Sequence, residues 1–151
     1  MKNLFTFLCF LPLAVLGCSK PHTHFIEKIT FSTGGGMSRA RSDMTIDSNR
    51  KAVRTYTDYN GTTNGPLKCI IDTASFNKII AELNELDFPA LKNSYTENAT
   101  DCATYILTIT YDNGKVKTIN DYCRQGPKGL LAVYEDLFIL ESSQKWANAN
   151  K

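Results

Sequence analysis

The side chains that could bind a metal or perform acid-base chemistry are few and scattered in this 151-residue chain. Its two histidines, His22 and His24, have a His-x-His spacing that binds a transition metal weakly, and two ligands on a polar tether make a poor site. Asp101, Asp112 and Asp121 could suggest paired carboxylates, but turn or capping roles explain them better. The sequence therefore predicts no catalytic residue, no metal site and no cofactor.

A glycine-arginine segment, "GGGMSRARSD", is the most irregular part of the chain. It lacks the Lys-Ser/Thr of a phosphate-binding loop and does not lead into a helix. Arg39 and Arg41 are two residues apart, so they share a strand face and could meet an anionic partner, although a solvated strand edge is the simpler interpretation. The possible partner-binding residues are Gly34, Gly35, Gly36, Arg39 and Arg41.

Strand patterns surround this segment and recur later in the chain. In "FIEKITFS" the residues Phe25, Ile29 and Phe31 alternate with polar ones, which predicts a strand before a loop at residues 33–36. Further strands are expected around residues 39–46 and 52–59, with a break at residues 60–66. Asn113-Gly114 predicts a two-residue hairpin turn, in which Thr104 faces Cys123.

Two amphipathic helices complete the predicted domain. The first follows Asp72 or Thr73 and stops before Pro89, and the second starts near Pro127 and ends before Trp146. The order β-β-β-α-β-β-α predicts a single α+β domain over residues 25–147, with an antiparallel sheet of about five strands and both helices on one face.

The amino terminus predicts export. Lys2 precedes an apolar run too short to span a bilayer, which is typical of a secretory signal over residues 1–17. Val15-Leu16-Gly17-Cys18 resembles a bacterial lipobox, which implies cleavage before Cys18 and lipid attachment there. An ordinary cleaved signal peptide or an uncleaved anchor are the alternatives. Residues 18–24 then form a tether that reaches about 23 Å at most.

Three further cysteines remain in the expected oxidising compartment: Cys69, Cys102 and Cys123. The hairpin brings Cys102 and Cys123 to its open end, so we predict that they form a disulfide. A bridge through Cys69 to one of them is the alternative. Cys69 could instead be a reactive thiol, but the predicted domain has no histidine to activate it.

The second half of the chain resembles a bacterial family, domain of unknown function 6438. The similarity is carried by "FNKIIAELNELDFPALKNSY" and "TDCATYILTITYDNGKVKTINDY", and it extends over about residues 26–146. Members often carry a Cys-Phe-Gly-x-Cys-Pro element after the first strand, and this chain has none there. The resemblance implies the fold and secretion and supplies no catalytic residue.

The functional expectation is a noncatalytic binding domain, lipid-anchored in the bacterial envelope, with an envelope protein as its partner. Ser19 after Cys18 resembles the enterobacterial pattern that favours the outer membrane. The formal net charge of +2 gives no reason to expect a nucleic acid partner. The alternative is an envelope enzyme or metal-dependent protein that uses His22 and His24 with domain carboxylates.

Overall fold

A computed structural model describes residues 25–36 and 39–149 of the chain. Its strands are β1 (Ile26–Gly35), β2 (Arg41–Asp47), β3 (Lys51–Thr57), β4 (Thr63–Ile70), β5 (Ser94–Tyr95), β6 (Ala103–Tyr111), β7 (Val116–Tyr122) and β8 (Ala147–Asn148). Its helices are α1 (Thr73–Glu85) and α2 (Lys128–Ser143), with a short 3-10 helix at Phe88–Ala90. This is the α+β class that the sequence predicts.

The strands form one sheet in the order β5-β7-β6-β1-β2-β3-β4-β8. All neighbours are antiparallel except β5 and β7, which are parallel, so the sheet is mixed. The expectation of about five strands is wrong, because the described residues contain eight. Two of the additional strands have only two residues, which is too short for an alternating pattern to show.

The third additional strand, β4, lies where a chain break was expected. Gly65 and Pro66 suggested a turn, since proline cannot donate to a strand ladder. In the structure the register shifts between Arg54 and Tyr56 of β3, so the Gly-Pro pair sits in an irregularity of the ladder. The Pro66 carbonyl still accepts a hydrogen bond from the Ala149 amide at 2.9 Å.

The helices begin and end as their local signals predict. Asp72 caps α1, because its carboxylate accepts a hydrogen bond from the Ser75 amide at 2.9 Å. Pro127 immediately precedes α2, which ends at Ser143 before Trp146. An ion pair joins the helices, with the Lys78 amine 2.6 Å from the Asp136 carboxylate.

Both helices contribute to the apolar core on one face of the sheet. Phe31 of β1 stacks on Tyr134 of α2 with 5.6 Å between ring centroids, and Phe138 meets Phe31 edge-on at 5.3 Å. Buried Ile79 and Leu83 of α1 belong to the same apolar cluster. Among the described helices, none is long and apolar enough to cross a membrane.

The opposite face of the sheet is polar, and we call it the open face. A row of threonines crosses it, because Thr30 pairs with both Thr45 and Thr108, and Thr108 pairs with Thr118. The last two hydroxyls are 2.9 Å apart and share a hydrogen bond. Sequence alternation therefore produces one apolar and one hydroxylated face.

β1 differs from its prediction at both ends. Phe25 does not share the buried face with Ile29 and Phe31, because an irregularity between Ile26 and Lys28 changes the alternation and leaves Phe25 largely exposed. The strand also extends to Gly35 instead of ending in a loop. Two neighbouring strands supply the partners for this extension, since Gly34 pairs with both Arg41 and Thr104.

The β6–β7 hairpin differs from its prediction by one residue. Thr104 pairs with Tyr122, so the predicted pairing of Thr104 with Cys123 is wrong. The Tyr111 amide bonds the Lys115 carbonyl at 2.9 Å, which closes a three-residue loop ending in Gly114 at φ +75°. Such loops combine a turn with a left-handed glycine and a bulge. A one-residue shift exchanges sheet faces, and it places Asp121 in the interior.

Candidate partner-binding site

The glycines and arginines singled out in the sequence line a depression at the carboxyl end of β1. The depression has a volume of about 340 Å³ and lies at the carboxyl end of β1, between β2 and β6. Its lining includes all five predicted binding residues together with Ser32, Thr104 and Ile106. We call it the glycine-arginine pocket.

Small residues are required in this pocket because backbone approaches closely from a neighbouring loop. A Cβ atom on Gly36 would lie 2.9 Å from the Asp101 carbonyl oxygen, closer than side chains tolerate. Gly36 also has φ +67°, a left-handed conformation that glycine adopts without a steric penalty. A larger residue at position 36 would therefore collide with the loop that carries Asp101.

Arg41 is fixed by a carboxylate on its own strand. Its Nε and Nη2 atoms donate to the two carboxylate oxygens of Asp43 at 2.7 and 2.9 Å, and the Ser32 hydroxyl donates to the same carboxylate at 2.6 Å. The Arg41 hydrogen bond holds the pKa of Asp43 below its ordinary value, and the same bond raises the pKa of Arg41. The Asp43 carboxylate thus fixes the orientation of the Arg41 guanidinium and neutralises most of its charge.

Arg39 is the second cation of the pocket, and it differs from Arg41. It is exposed, and none of the contacts in the described part of the chain pairs its guanidinium. Its backbone has φ +51°, which is unusual for a side chain of this size. The two arginines therefore divide their roles, with Arg41 held in the wall and Arg39 available to an anionic group.

A disulfide holds the loop that backs the pocket. Cys102 and Cys123 are bonded with their Cα atoms 5.1 Å apart, which is the pairing that the sequence favoured. The Tyr122 hydroxyl adds to this anchor, since it accepts from the Cys102 amide at 3.3 Å and donates to the Ala99 carbonyl at 3.1 Å. The loop faces the glycines, because its Asp101 and Cys102 main-chain atoms are those nearest Gly36.

The three aspartates considered for catalysis do not converge. Asp121 is fully buried, and its carboxylate accepts from the Gln125 amide at 2.7 Å and the Gly126 amide at 3.0 Å. Asp101 has φ +63° next to the disulfide, whereas Asp112 lies in the β6–β7 turn at the other end of the strands. Each aspartate therefore occupies a turn or supports one, and no described group of three or more side chains could hold a metal ion.

The remaining cysteine and histidine candidates are a thiol on β4 and three residues that the structure does not describe. Cys69 is a free, half-buried thiol on β4, and burial raises its pKa, which disfavours the reactive thiolate. Cys18, His22 and His24 lie outside the described residues, and so does the predicted signal peptide. Lipid attachment and the two-histidine metal site therefore stay predictions.

Sequence analysis missed a charged cluster beneath α2. The Glu141 carboxylate is buried, lies 2.6 Å from Arg54 Nε, and accepts from the Ser42 hydroxyl at 2.5 Å. A shallow groove of about 500 Å³ adjoins it. The sequence contained a signal for the burial of Glu141, because it follows Tyr134 by seven residues and therefore lies on the same apolar face of the helix. The Glu141 carboxylate is paired with Arg54 and Ser42 of the same domain, and this pairing accounts for its burial.

Comparison with known proteins gives one match. The model of a protein family described as Domain of unknown function (DUF6438) matches residues 27–141. No curated protein and no solved structure matches the chain. The family match spans β1 to near the end of α2 and includes the glycine-arginine pocket, the disulfide and Asp121. The chain therefore belongs to the DUF6438 family.

Proposed function

We propose that this protein is a membrane-anchored lipoprotein of the bacterial envelope whose domain binds a partner protein without catalysis. Lipid attachment at Cys18 anchors it, and Ser19 directs it to the outer membrane. The glycine-arginine pocket receives an acidic group of an envelope protein. The observation that carries this proposal is the convergence of Gly34, Arg39 and Arg41 with residues of β6 on one depression of the open face.

The chemistry of the lining supports binding over turnover. The pocket offers hydroxyls from Ser32 and Thr104, main-chain atoms from the glycines, and the guanidinium of Arg39. These groups form hydrogen bonds and ion pairs. Ile106 adds a small apolar surface. Such a combination suits the recognition of an acidic side chain or a terminal carboxylate.

Photocrosslinking in intact cells tests the binding site. A photoreactive residue in place of Ile106 should capture an envelope protein, whereas the same residue in place of Lys68, on β4, should not. R39Q should reduce the capture, and K51Q, which also removes one exposed cation, should leave it unchanged. Equal capture from both positions, or no effect of R39Q, would contradict the proposed site.

Membrane anchorage has its own test. Intact-mass analysis of the protein purified from membranes should show a chain that begins at Cys18 and carries acyl groups. Replacement of residues 1–18 by a signal peptide that is cleaved without lipid attachment should release the protein from the membrane fraction, because its durable attachment is lost. A chain of full length with no acyl group would contradict the anchor and leave the pocket open to test separately.

A further inference from the structure

The amino-terminal end of the sheet exposes two large apolar side chains. Phe25 and Val116 each have 61% of their surface exposed. They lie at the same end, because the Asp112 amide bonds the Phe25 carbonyl at 3.0 Å and Val116 begins β7 just beyond that turn. Single exposed apolar residues are ordinary on protein surfaces, so their surroundings decide what they mean.

Each of the two side chains borders an apolar hollow. Phe25 lines one of about 270 Å³ together with Phe76 and Ile80 of α1. Val116 lines another of about 200 Å³ together with Pro89 and Tyr111. Ile26 lines the first hollow and Tyr111 lines the second, and these two residues pair across the β1–β6 ladder, so both hollows lie at the same end of the sheet. We call this area, formed by Phe25, Phe76, Ile80, Pro89 and Val116, the amino-terminal surface.

The amino-terminal surface lies close along the chain to Cys18, the proposed site of lipid attachment. Phe25 follows Cys18 by seven residues, which span about 23 Å at most when fully extended. β1 runs away from that point for ten residues, or about 33 Å at the rise of a strand. A lipid on Cys18 therefore keeps the amino-terminal surface near the bilayer, while the opposite end of β1 can lie much further away.

The charges around the surface indicate which kind of lipid contact it makes. Exposed Lys115 is adjacent to Val116, and exposed Glu27, Lys28 and Asp112 lie close to Phe25 in the chain or ladder. Lys117 is occupied, since its amine donates to the Leu91 carbonyl and to Asn93 at 2.5 Å each. With both signs present, attraction to anionic lipid is weak, so contact depends on the apolar side chains.

We infer that the amino-terminal surface rests on the bilayer, with Phe25 and Val116 at the level of the lipid head groups. This inference depends on the proposed lipid attachment at Cys18. It adds an orientation to that anchor, because a tether alone lets the domain turn in any direction. The occupant of the surface is a phospholipid membrane, and zwitterionic lipid is sufficient.

A pair of matched tryptophan variants tests this. The full-length acylated protein is reconstituted into phosphatidylcholine vesicles with and without bromine on the acyl chains, which quenches nearby tryptophan. F25W places the probe in the surface, and Y59W places it at a position that is also largely exposed, in the β3–β4 connection at the opposite end of the sheet. The parent, whose single tryptophan is Trp146, supplies the background.

We expect brominated lipid to reduce the fluorescence of F25W, and we expect vesicles to shift its emission to shorter wavelength. Y59W should show neither effect beyond the background of the parent. V116W should behave as F25W does. The protein must be acylated and must float with the vesicles. In such protein, equal quenching of F25W and Y59W, or quenching of neither, overturns the proposed orientation and leaves the lipid anchor unaffected. A chain that carries no acyl group overturns both the inference and the anchor.

Discussion

Asp121 shows how one buried carboxylate fixes the connection into α2. It accepts hydrogen bonds from two successive backbone amides, those of Gln125 and Gly126, and so holds the turn between β7 and the helix. Gly126 permits this approach, because a Cβ there would lie 2.8 Å from the carboxylate. Substitution D121N replaces one acceptor with a donor that faces an amide, which should lower the free energy of unfolding by about 1–3 kcal/mol.

Urea denaturation followed by circular dichroism measures this change. D112N is the matched control, because the exposed Asp112 side chain lies in the β6–β7 turn, and its effect should stay within about 0.5 kcal/mol. Equal losses of stability in the two variants would contradict a specific supporting role for Asp121.

Glu82 makes stability depend on pH at the contact between the helices. Burial raises its pKa above the ordinary value of 4.5, and neighbouring Asp136 raises it further, while Lys78 opposes both. A raised pKa means that the folded state favours the protonated acid. The stability that Glu82 contributes is therefore complete below pH 4.5 and declines as pH rises through its higher folded-state pKa.

E82Q should consequently stabilise the protein at pH 7 and have little effect at pH 4, as measured by thermal unfolding at both values. The exposed Glu27 supplies the control, since E27Q should shift the midpoint little at either pH. A loss of stability in E82Q at pH 7 would mean that the Lys78 pairing outweighs the carboxylate repulsion.

At the scale of elements, two glycines with positive φ allow the cost of a left-handed backbone to be distinguished from the cost of steric crowding. Gly36 and Gly61 both have positive φ, but only Gly36 has main-chain atoms within reach of an added Cβ, whereas Gly61 has none within 4 Å. Both G36A and G61A should cost about 1–2 kcal/mol for the left-handed backbone. G36A should cost more, because the 2.9 Å contact with Asp101 adds a clash. Urea denaturation compares the two, and equal costs would indicate that the loop of Asp101 moves aside.

The disulfide links the start of β6 to the end of β7. Residues 102 and 123 are separated by 21 positions, and closing a loop of that size stabilises a protein by about 3 kcal/mol in the chain-entropy estimate. A C102S/C123S double variant should lose about that amount in urea denaturation, and reduction of the parent should have the same effect. C69S should lose little, because Cys69 is free. A large loss in C69S would point to a structural role for that thiol.

Elements with a strong local signal could be predicted from the sequence. Asp72 as a cap, Pro127 before α2, and the alternation of apolar residues in β6 each depend on near neighbours in the chain. β4 depends on a distant partner instead, because the ladder with β3 tolerates Gly65-Pro66 through a local register shift. The predicted register of the β6–β7 hairpin was wrong because the loop has three residues instead of two: Asp112 joins Asn113 and Gly114 in it.

The candidate site divides in the same way. Residue types indicated the glycines, Arg39 and Arg41, because glycine tolerates unusual backbone and arginine suits anionic partners. The period of a strand places Arg41 and Asp43 on one side of β2, but the sequence could not show that the two side chains meet in a bidentate pair. Nor could it show that the disulfide loop supports the glycines from behind.

The whole molecule has two unlike ends. The amino-terminal surface, with Phe25 and Val116, lies at one end of the central strands, and the glycine-arginine pocket lies at the other. β1 connects them directly, because it begins beside Phe25 and ends at Gly35. If the first end rests on the membrane, the pocket points away from it toward partners in the envelope. The two proposals therefore support one orientation.

This orientation predicts which amines a membrane protects. Lys115 and Lys128 are both exposed: Lys115 immediately precedes β7 and is adjacent to Val116, whereas Lys128 is the first residue of α2, after β7 has ended. An impermeant amine reagent is applied to the protein on vesicles, and peptide masses report labelling at each lysine. The ratio of Lys115 to Lys128 labelling should be lower in the acylated protein than in a chain without residues 1–18 mixed with the same vesicles, because only the anchored chain holds Lys115 against lipid head groups. An unchanged ratio would mean that the anchored domain has no preferred end toward the bilayer.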